Sequence, residues 1–367
     1  MTRIVLAYSG DLDTTVAIGW LAESCTAEIV TVTLDVGQGH ELKEVRDRAL
    51  AAGAVRAHVL DVREEFAHDY VLPVLAAGAL DQDRFPITSP LVSPLIARKL
   101  VEIAAIEHAA AIAHGCTGDD QGRLESAVRS LDPAIAVIAP AGQWDMTRPA
   151  KIEFAKSRGL ALPVTVNSPY SVDANLWGRS IECGALEDPW LEPPEQIYTQ
   201  TRRPTDCPDQ PAYVDVSFDR GCPTAINGVG MPIVELIASL TTIAGAHGVG
   251  RIDRIENRAR GIGSRTVDEA PAAVVLDAAH RELQHVVTTR ESARFSRLVS
   301  AQYADIVSGG LWFTPLREAL DAYVAKVQQR VCGVVRTKLF KGDCRVVGRT
   351  SPFAVDDRAL ATISSHQ

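Results

Sequence analysis

The chain has 367 residues, 46% of them hydrophobic and 23% charged, with a formal net charge of -9. That size and balance suit a globular protein of two or three domains whose core needs no disulfide staples, and they exclude a disordered chain. The acidic balance argues against a nucleic-acid partner, which would require a basic stripe, and no apolar run reaches the ~20 residues of a membrane helix.

Seven cysteines, at 25, 116, 183, 207, 222, 332 and 344, include no C-x-x-C pair. That spacing argues against zinc, and the odd count without a signal segment points to a reducing, cytoplasmic setting. Arg3–Tyr8 reads as a buried strand, too short for a signal or membrane segment. Asp13–Glu23 has helical spacing, Glu28–Leu34 is β-rich, Glu41–Ala52 is a charged amphipathic helix and Ala57–Val62 is a further strand. Ile112–Cys116 and Ala134–Ala139 complete five apolar runs separated by helices, the pattern of an α/β fold whose parallel sheet is covered on both faces. Ligands bind such sheets beyond the carboxyl ends of the strands, which singles out the turns after Tyr8, Leu34 and Cys116.

From Asn167 the rhythm changes to α+β. Ala212–Phe218 alternates like a half-buried strand, and Met231–Ala246, Ala301–Leu311 and Arg317–Val331 read as helices. Glu192–Pro211 is polar and proline-rich, hence a loop or linker, and Arg336–Phe353 is strand-like before a short tail. Internal repeats and low-complexity tracts are lacking.

The first strand runs into Ala7-Tyr8-Ser9-Gly10-Asp11-Leu12-Asp13-Thr14-Thr15. A small turn closed by hydroxyls and opening a helix aims backbone N–H groups and the helix dipole at an anion. A plain strand-to-helix turn capped by Ser9 or Asp13 fits the same letters. The segment has neither the G-K-[ST] ending of a Walker A loop nor the G-x-G-x-x-G of a dinucleotide site.

This loop resembles the pyrophosphatase loop S-G-G-x-D-[ST] of ATP-cleaving ligases. Further segments run in one order along the chain: Asp35-Val36-Gly37-Gln38-Gly39, His114-Gly115-Cys116-Thr117-Gly118, the run from Tyr170 to Ser180, Ala244 to Arg251, Glu256-Asn257-Arg258, and Leu311 to Leu320. Together they resemble the argininosuccinate synthetase family. The resemblance implies a parallel-sheet nucleotide-binding domain of the adenine nucleotide alpha hydrolase type over 1–165. It also implies a synthetase and multimerisation domain over 166–355, a tail over 356–367, and a cytoplasmic homotetramer acting on small molecules. The implied reaction has two steps: a ureido oxygen of citrulline attacks the α-phosphorus of ATP and expels pyrophosphate, then the aspartate amine displaces AMP. Magnesium is expected on the phosphates, with Asp13 a candidate ligand.

Carried onto this sequence, the family's ATP contacts fall on Ala7, Tyr8, Ser9, Gly10, Asp11, Asp13, Thr14, Thr15, Leu34 and Gly115. Its aspartate contacts fall on Thr117, Asp119 and Asp120, and its citrulline contacts on Phe85, Pro90, Arg123, Ser171, Ser180, Glu256 and Asp268. The planar fork of Arg123 suits an α-carboxylate and Glu256 an ammonium. Each has a plainer reading: Arg123 as a surface ion pair on a helix start, Ser171 as a turn cap, and Glu256 paired with Arg258. His247 is assigned a structural or subunit-contact role rather than acid/base chemistry.

The sequence departs from the family pattern at these same places. Asp11 stands for the loop's second glycine and Thr15 for its last serine; after Gly118 two residues are missing, a lysine among them, and Asp119 replaces an asparagine. Phe85 and Asp268 replace tyrosines, Pro90 a small residue, Ser93 an arginine and Ala174 a glutamate. A charge at position 268 requires a cation, from the protein or from the substrate. Three readings stay open: a synthetase acting on citrulline, a relative using a different ureido or amino-acid acceptor, and a nucleotide-binding relative impaired in catalysis.

Overall fold

The computed structural model describes residues 2–39, 42–144, 146–160, 168–256 and 263–354. In chain order its first half holds β1 (Thr2–Ala7), α1 (Leu12–Ser24), β2 (Ala27–Asp35), α2 (Leu42–Ala51), β3 (Arg56–Asp61), α3 (Arg63–Phe66), α4 (Leu72–Ala77), the short strands β4 (Leu80–Asp81) and β5 (Phe85–Pro86), α5 (Ser93–Ile106), β6 (Ala111–Ala113), α6 (Gly118–Leu131), β7 (Ala136–Ile138) and α7 (Arg148–Ser157). A single π-helical turn, Ala67–Val71, joins α3 to α4.

The first sheet is parallel, in the order β3-β2-β1-β6-β7. Its central strands β1, β2 and β6 are buried on both sides, which is why they read as continuous runs rather than alternating ones, while the edge strands β3 and β7 are only half-buried. Ile4 and Leu6 of β1 pack with Ala17, Ile18 and Leu21 of α1 and with Val45 of α2. Val5, between them, packs with Leu100 of α5 and Leu124 of α6. The chain leaves β1 to one side for β2 and β3, then returns to the other for β6 and β7. The strand order therefore reverses between β1 and β6, and the crevice for a ligand opens beyond their carboxyl ends.

The second half holds β8 (Ser171–Asn175), β9 (Gly178–Glu182), β10 (Ala212–Asp219), β11 (Cys222–Ile226), β12 (Val229–Gly230), α8 (Ile233–Ala246), β13 (Arg251–Glu256), β14 (Ser264–Glu269), α9 (Pro271–Val287), α10 (Arg290–Ser308), α11 (Pro315–Gln328), β15 (Gly333–Phe340) and β16 (Asp343–Thr350). One sheet has the order β12-β11-β10-β15-β16 and another the order β13-β14-β9-β8. The main core joins Val214, Val216, Val335 and Leu339 to α8, α9 and α10, and it takes in Phe66, Tyr70 and Val74 from the first hundred residues.

Several boundaries differ from expectation. The strand expected over Ile112–Cys116 ends at Ala113, which frees His114, Gly115 and Cys116 as a loop. The helix expected over Ala301–Leu311 is the last part of α10, and Arg336–Phe353 resolves into two antiparallel strands around Lys341-Gly342. The expected tail, 356–367, lies outside the described residues.

Candidate functional site

The loop from Ala7 to Leu12 is built by hydroxyls and one glycine. Gly10 takes φ +84°, in the region that favours glycine, and a Cβ there would stand 3.2 Å from Val45 and from the Arg48 guanidinium. Arg48 Nη1 donates to the Gly10 carbonyl at 2.7 Å. Asp11 is the N-cap of α1 with φ -77° and ψ 172°, extended backbone open to any L residue, so an aspartate where the family has glycine strains nothing. Its exposed side chain caps no N–H. The Ser9 and Thr14 hydroxyls lie 3.1 Å apart, and buried Thr15 meets Tyr8 OH at 3.1 Å. Asp13, the expected metal candidate, pairs with Lys151 Nζ at 2.9 Å.

The turn after β6 closes on this loop. A Cβ on Gly115 would stand 2.9 Å from Thr14 Cγ2, so the two loops touch where the strand order reverses. Leu34 is the next-to-last residue of β2, its carbonyl accepting from Gln38 Nε2 at 2.7 Å. Thr117 stands at the N-cap position of α6 with no side-chain capping bond, and the first turn carries Asp119 and Asp120 at the positive end of the helix dipole. Arg123 forms an ion pair with Asp120, the plainer of its two expected roles, while its buried Nε finds no partner among the described residues. Burial pushes the Cys116 thiol up to about 12, with Asp120 and Asp173 adding to the effect, so it is held as a thiol and is no nucleophile. His114 is wholly buried, and burial lowers its pKa, keeping the ring neutral.

The sheet β13-β14-β9-β8 forms the opposing wall. Pairing sets Asp173 opposite Ser180, Ser180 opposite Asp268, Ser171 opposite Glu182, and Glu256 opposite Ser264. Side chains alternate along a strand, so Ser171, Asp173, Ser180, Glu182, Asp268, Arg254 and Glu256 share one face. Ile181 and Val267 fill the other face with Leu186 and Ile197. Exposed Ser171 starts β8; Pro90 sits half-buried in the 3-10 turn Ser89–Val92; and Phe85 lies half-buried on β5 with the Arg84 guanidinium 5.0 Å over its ring.

Carboxylates crowd this cleft. Ser89 Oγ donates to Asp173 Oδ2 at 3.0 Å, yet the Asp173 pKa is raised, first by partial withdrawal from water, then by Asp120, with Glu182 and Asp11 acting in the same sense. Asp268 is fully buried: Ser180 Oγ donates to Oδ1 at 2.5 Å and Thr88 Oγ1 to the same atom at 3.3 Å. The cation that its charge demands is Arg254, whose Nε lies 2.7 Å from Oδ2. The same guanidinium reaches Asp81 and Glu256, each at 2.7 Å from Nη1. Burial raises the Glu256 pKa; Arg254 opposes it, Glu182 and Asp81 reinforce it, and Arg123 opposes it. Asn257 and Arg258, expected beside Glu256, lie outside the described residues.

Thus the loops around Gly10 and Gly115 meet one another, and Ser180, Asp268 and Glu256 are joined through hydrogen bonds and Arg254. Sequence reading missed Arg254. Its signal was the requirement for a cation near Asp268, on a strand close enough in sequence to pair with it.

His247 caps the end of α8, with its Nδ1 buried and unbonded among the described residues and its carbonyl accepting from Gly342 N at 2.8 Å. Among the described residues no group of three or more His, Cys, Asp or Glu side chains could hold a metal ion, and no helix is long and apolar enough to cross a membrane.

Residues 3–161 match the model of the arginosuccinate synthase N-terminal HUP domain, and residues 170–367 that of the arginosuccinate synthase C-terminal domain. The chain is similar to the argininosuccinate synthase of Geobacillus thermodenitrificans (strain NG80-2), with 48% identity over 365 residues, 99% of this chain and 90% of the relative. It is 46% identical to the argininosuccinate synthase of Bacillus thuringiensis (strain Al Hakam), over 99% of this chain and 91% of that one.

Proposed function

The chain belongs to the argininosuccinate synthase family, and we propose that it performs the ligation its relatives are named for: ATP-dependent joining of aspartate to the ureido carbon of citrulline, with release of AMP and pyrophosphate. Kinship over 99% of the chain carries this reading. Such chemistry needs positioning and charge neutralisation rather than a protein nucleophile. A Cys116 thiol held protonated by burial fits that requirement.

In this reading the α1 N-terminus, with Ser9, Thr14 and the backbone around Gly10, receives the phosphates. Residues 1–165 form the nucleotide domain and 166–355 the synthetase domain. Thr117, Asp119 and Asp120 face the aspartate; Arg123 and Glu256 face the carboxylate and ammonium of citrulline, on a wall that includes Phe85, Pro90 and Ser171. Ser180 and Asp268 are bonded within the protein, so they shape that wall from behind.

Magnesium commonly binds through substrate phosphates and one or two carboxylates, without a cage of protein ligands. Asp11, exposed and capping nothing, fits that pattern, whereas Asp13 is engaged by Lys151. When bound, the ion would neutralise charge on the departing pyrophosphate. A cytoplasmic homotetramer is the assembly we infer.

Arg254 also weighs against a cationic acceptor. Asp268 finds its countercharge inside the protein, so its presence gives no reason to look beyond citrulline. The test is AMP and pyrophosphate release by the purified protein with ATP, citrulline and aspartate, each omitted in turn. Formation of both products only with all three is expected; no AMP formation with the complete mixture overturns the reading.

A further inference from the structure

Four of the positions expected to contact the acceptor trace back to one buried side chain. Arg254 lies on β13 with its side chain only 4% exposed, and it holds three carboxylates at once. Through Asp81 it anchors the β4-β5 hairpin, where Asp81 pairs with Phe85. Through Asp268 it fixes a hydrogen-bonded group that includes Ser180 and Thr88. Through Glu256 it fixes the last residue of β13, a carboxylate still one quarter exposed. Phe85, Ser180, Asp268 and Glu256 are therefore set relative to one another by a single guanidinium. A fork with several N–H donors can do this, whereas an ammonium on a flexible stem cannot span three acceptors in fixed directions.

We propose that Arg254 is a positioning residue for the acceptor amino acid, holding the Glu256 carboxylate in place for the acceptor's ammonium group. The proposal rests on the ligase reading above. Among the described residues one cation, Arg254, bonds all three of these carboxylates, and Glu256 keeps a quarter of its side chain exposed, which suits contact with an ammonium-bearing ligand. Among the described residues the groups facing Glu256 are Arg254 on its own strand, Glu182 on β9, Asp81 on β4 and Arg123 on α6. Of these, Arg254 bonds Glu256 directly.

The test is a double-mutant cycle on the full chain, pairing Arg254→Lys with Glu256→Gln. Arg254→Lys keeps the buried charge and loses the fork. The expected result is a rise of about tenfold in the KM for citrulline, with the KM for ATP within about a factor of two, for loss of one charge-assisted contact. In the Glu256→Gln background the same substitution should change the citrulline KM by less than about twofold, because the route through Glu256 is already cut. A second variant, Arg254→Gln/Asp268→Asn, removes both buried charges together. It gives the same readout if thermal melting shows that the lysine variant folds poorly.

An unchanged citrulline KM in a folded variant overturns the proposal and leaves the ligase reading intact. So does an equal loss in both backgrounds, which would mark Arg254 as merely structural. Absence of wild-type turnover overturns both.

Discussion

Glu269 provides the sharpest test of how the second sheet is held. Its carboxylate is fully buried at the end of β14, beside Asp268 but on the opposite face. Oε1 accepts from Gln200 N and Thr201 N at 2.9 Å and from Thr201 Oγ1 at 2.7 Å. Oε2 accepts from Thr199 N at 2.9 Å and from Arg179 Nη1 at 3.0 Å. Every neighbour is a donor, so the site is made for an anion. Glu269→Gln turns one oxygen into an N–H2 that faces donors. Whichever way the amide is turned, at least two bonds to the carboxylate are lost. At ~1.5–3 kcal/mol for each hydrogen bond to a charged group, the loss is about 3–6 kcal/mol. Urea unfolding of the full chain measures it, with the midpoint falling and the slope unchanged if the mechanism is right. The loop at 199–201 should also become susceptible to proteolysis. A loss below about 1 kcal/mol would refute the argument, since it would mean that the carboxylate's bonds are replaced by water at no cost.

Gly115→Ala places a methyl 2.9 Å from Thr14 Cγ2, so the Thr14 side chain or the turn at Gly115 must shift; the KM for ATP should rise about tenfold with stability nearly unchanged, and equal effects on all substrates would count against a local cause. Asp11→Gly should weaken ATP binding about three- to tenfold by calorimetry at fixed magnesium, because it removes a carboxylate that fits the ion. That is a fraction of the ~4 kcal/mol Coulomb figure for a close pair, because Asp11 is exposed and screened; tighter binding would instead show that Asp11 repels the phosphates. Glu107 sits at the other end of the sheet, where burial pushes its carboxyl up and hydrogen bonds from His58 and Arg56 outweigh it, leaving its pKa below the usual range. A depressed pKa stabilises the folded state above the unfolded-chain value and is lost as pH falls through the folded one. Glu107→Gln should therefore be less stable than wild type at pH 7, and the gap should close below about pH 4 in thermal melts. A gap independent of pH would refute the role of the charge.

The first sheet could be read from the sequence because its central strands are apolar on both faces and the stretches between its strands have helical spacing. A pattern that depends on neighbours within one segment survives without coordinates. The reversal of strand order did not show in the letters: nothing between Ala57 and Ile112 says that β6 returns to the free side of β1. The first loop could still be located, since Gly10 follows close on the first strand, whereas Gly115 falls inside the strand expected over Ile112–Cys116 and is assigned by resemblance.

The wall opposite was far less legible. β8, β9, β13 and β14 are short and polar on the face that matters, so Ser180, Asp268 and Glu256 carry no periodic apolar signal and were found by resemblance alone. What they do there depends on long-range pairing. Ser180 and Asp268 are 88 residues apart and Arg254 and Asp81 are 173 apart, yet each pair is within hydrogen-bond reach. A sequence can state that a buried aspartate needs a cation; only the register of β13 on β14 says which one answers it. The identity of that cation changes the functional argument. With Asp268 neutralised by Arg254, the charge at position 268 becomes part of the protein's own framework, and Ser171, Glu256 and Arg123 are among the polar groups left for the ligand.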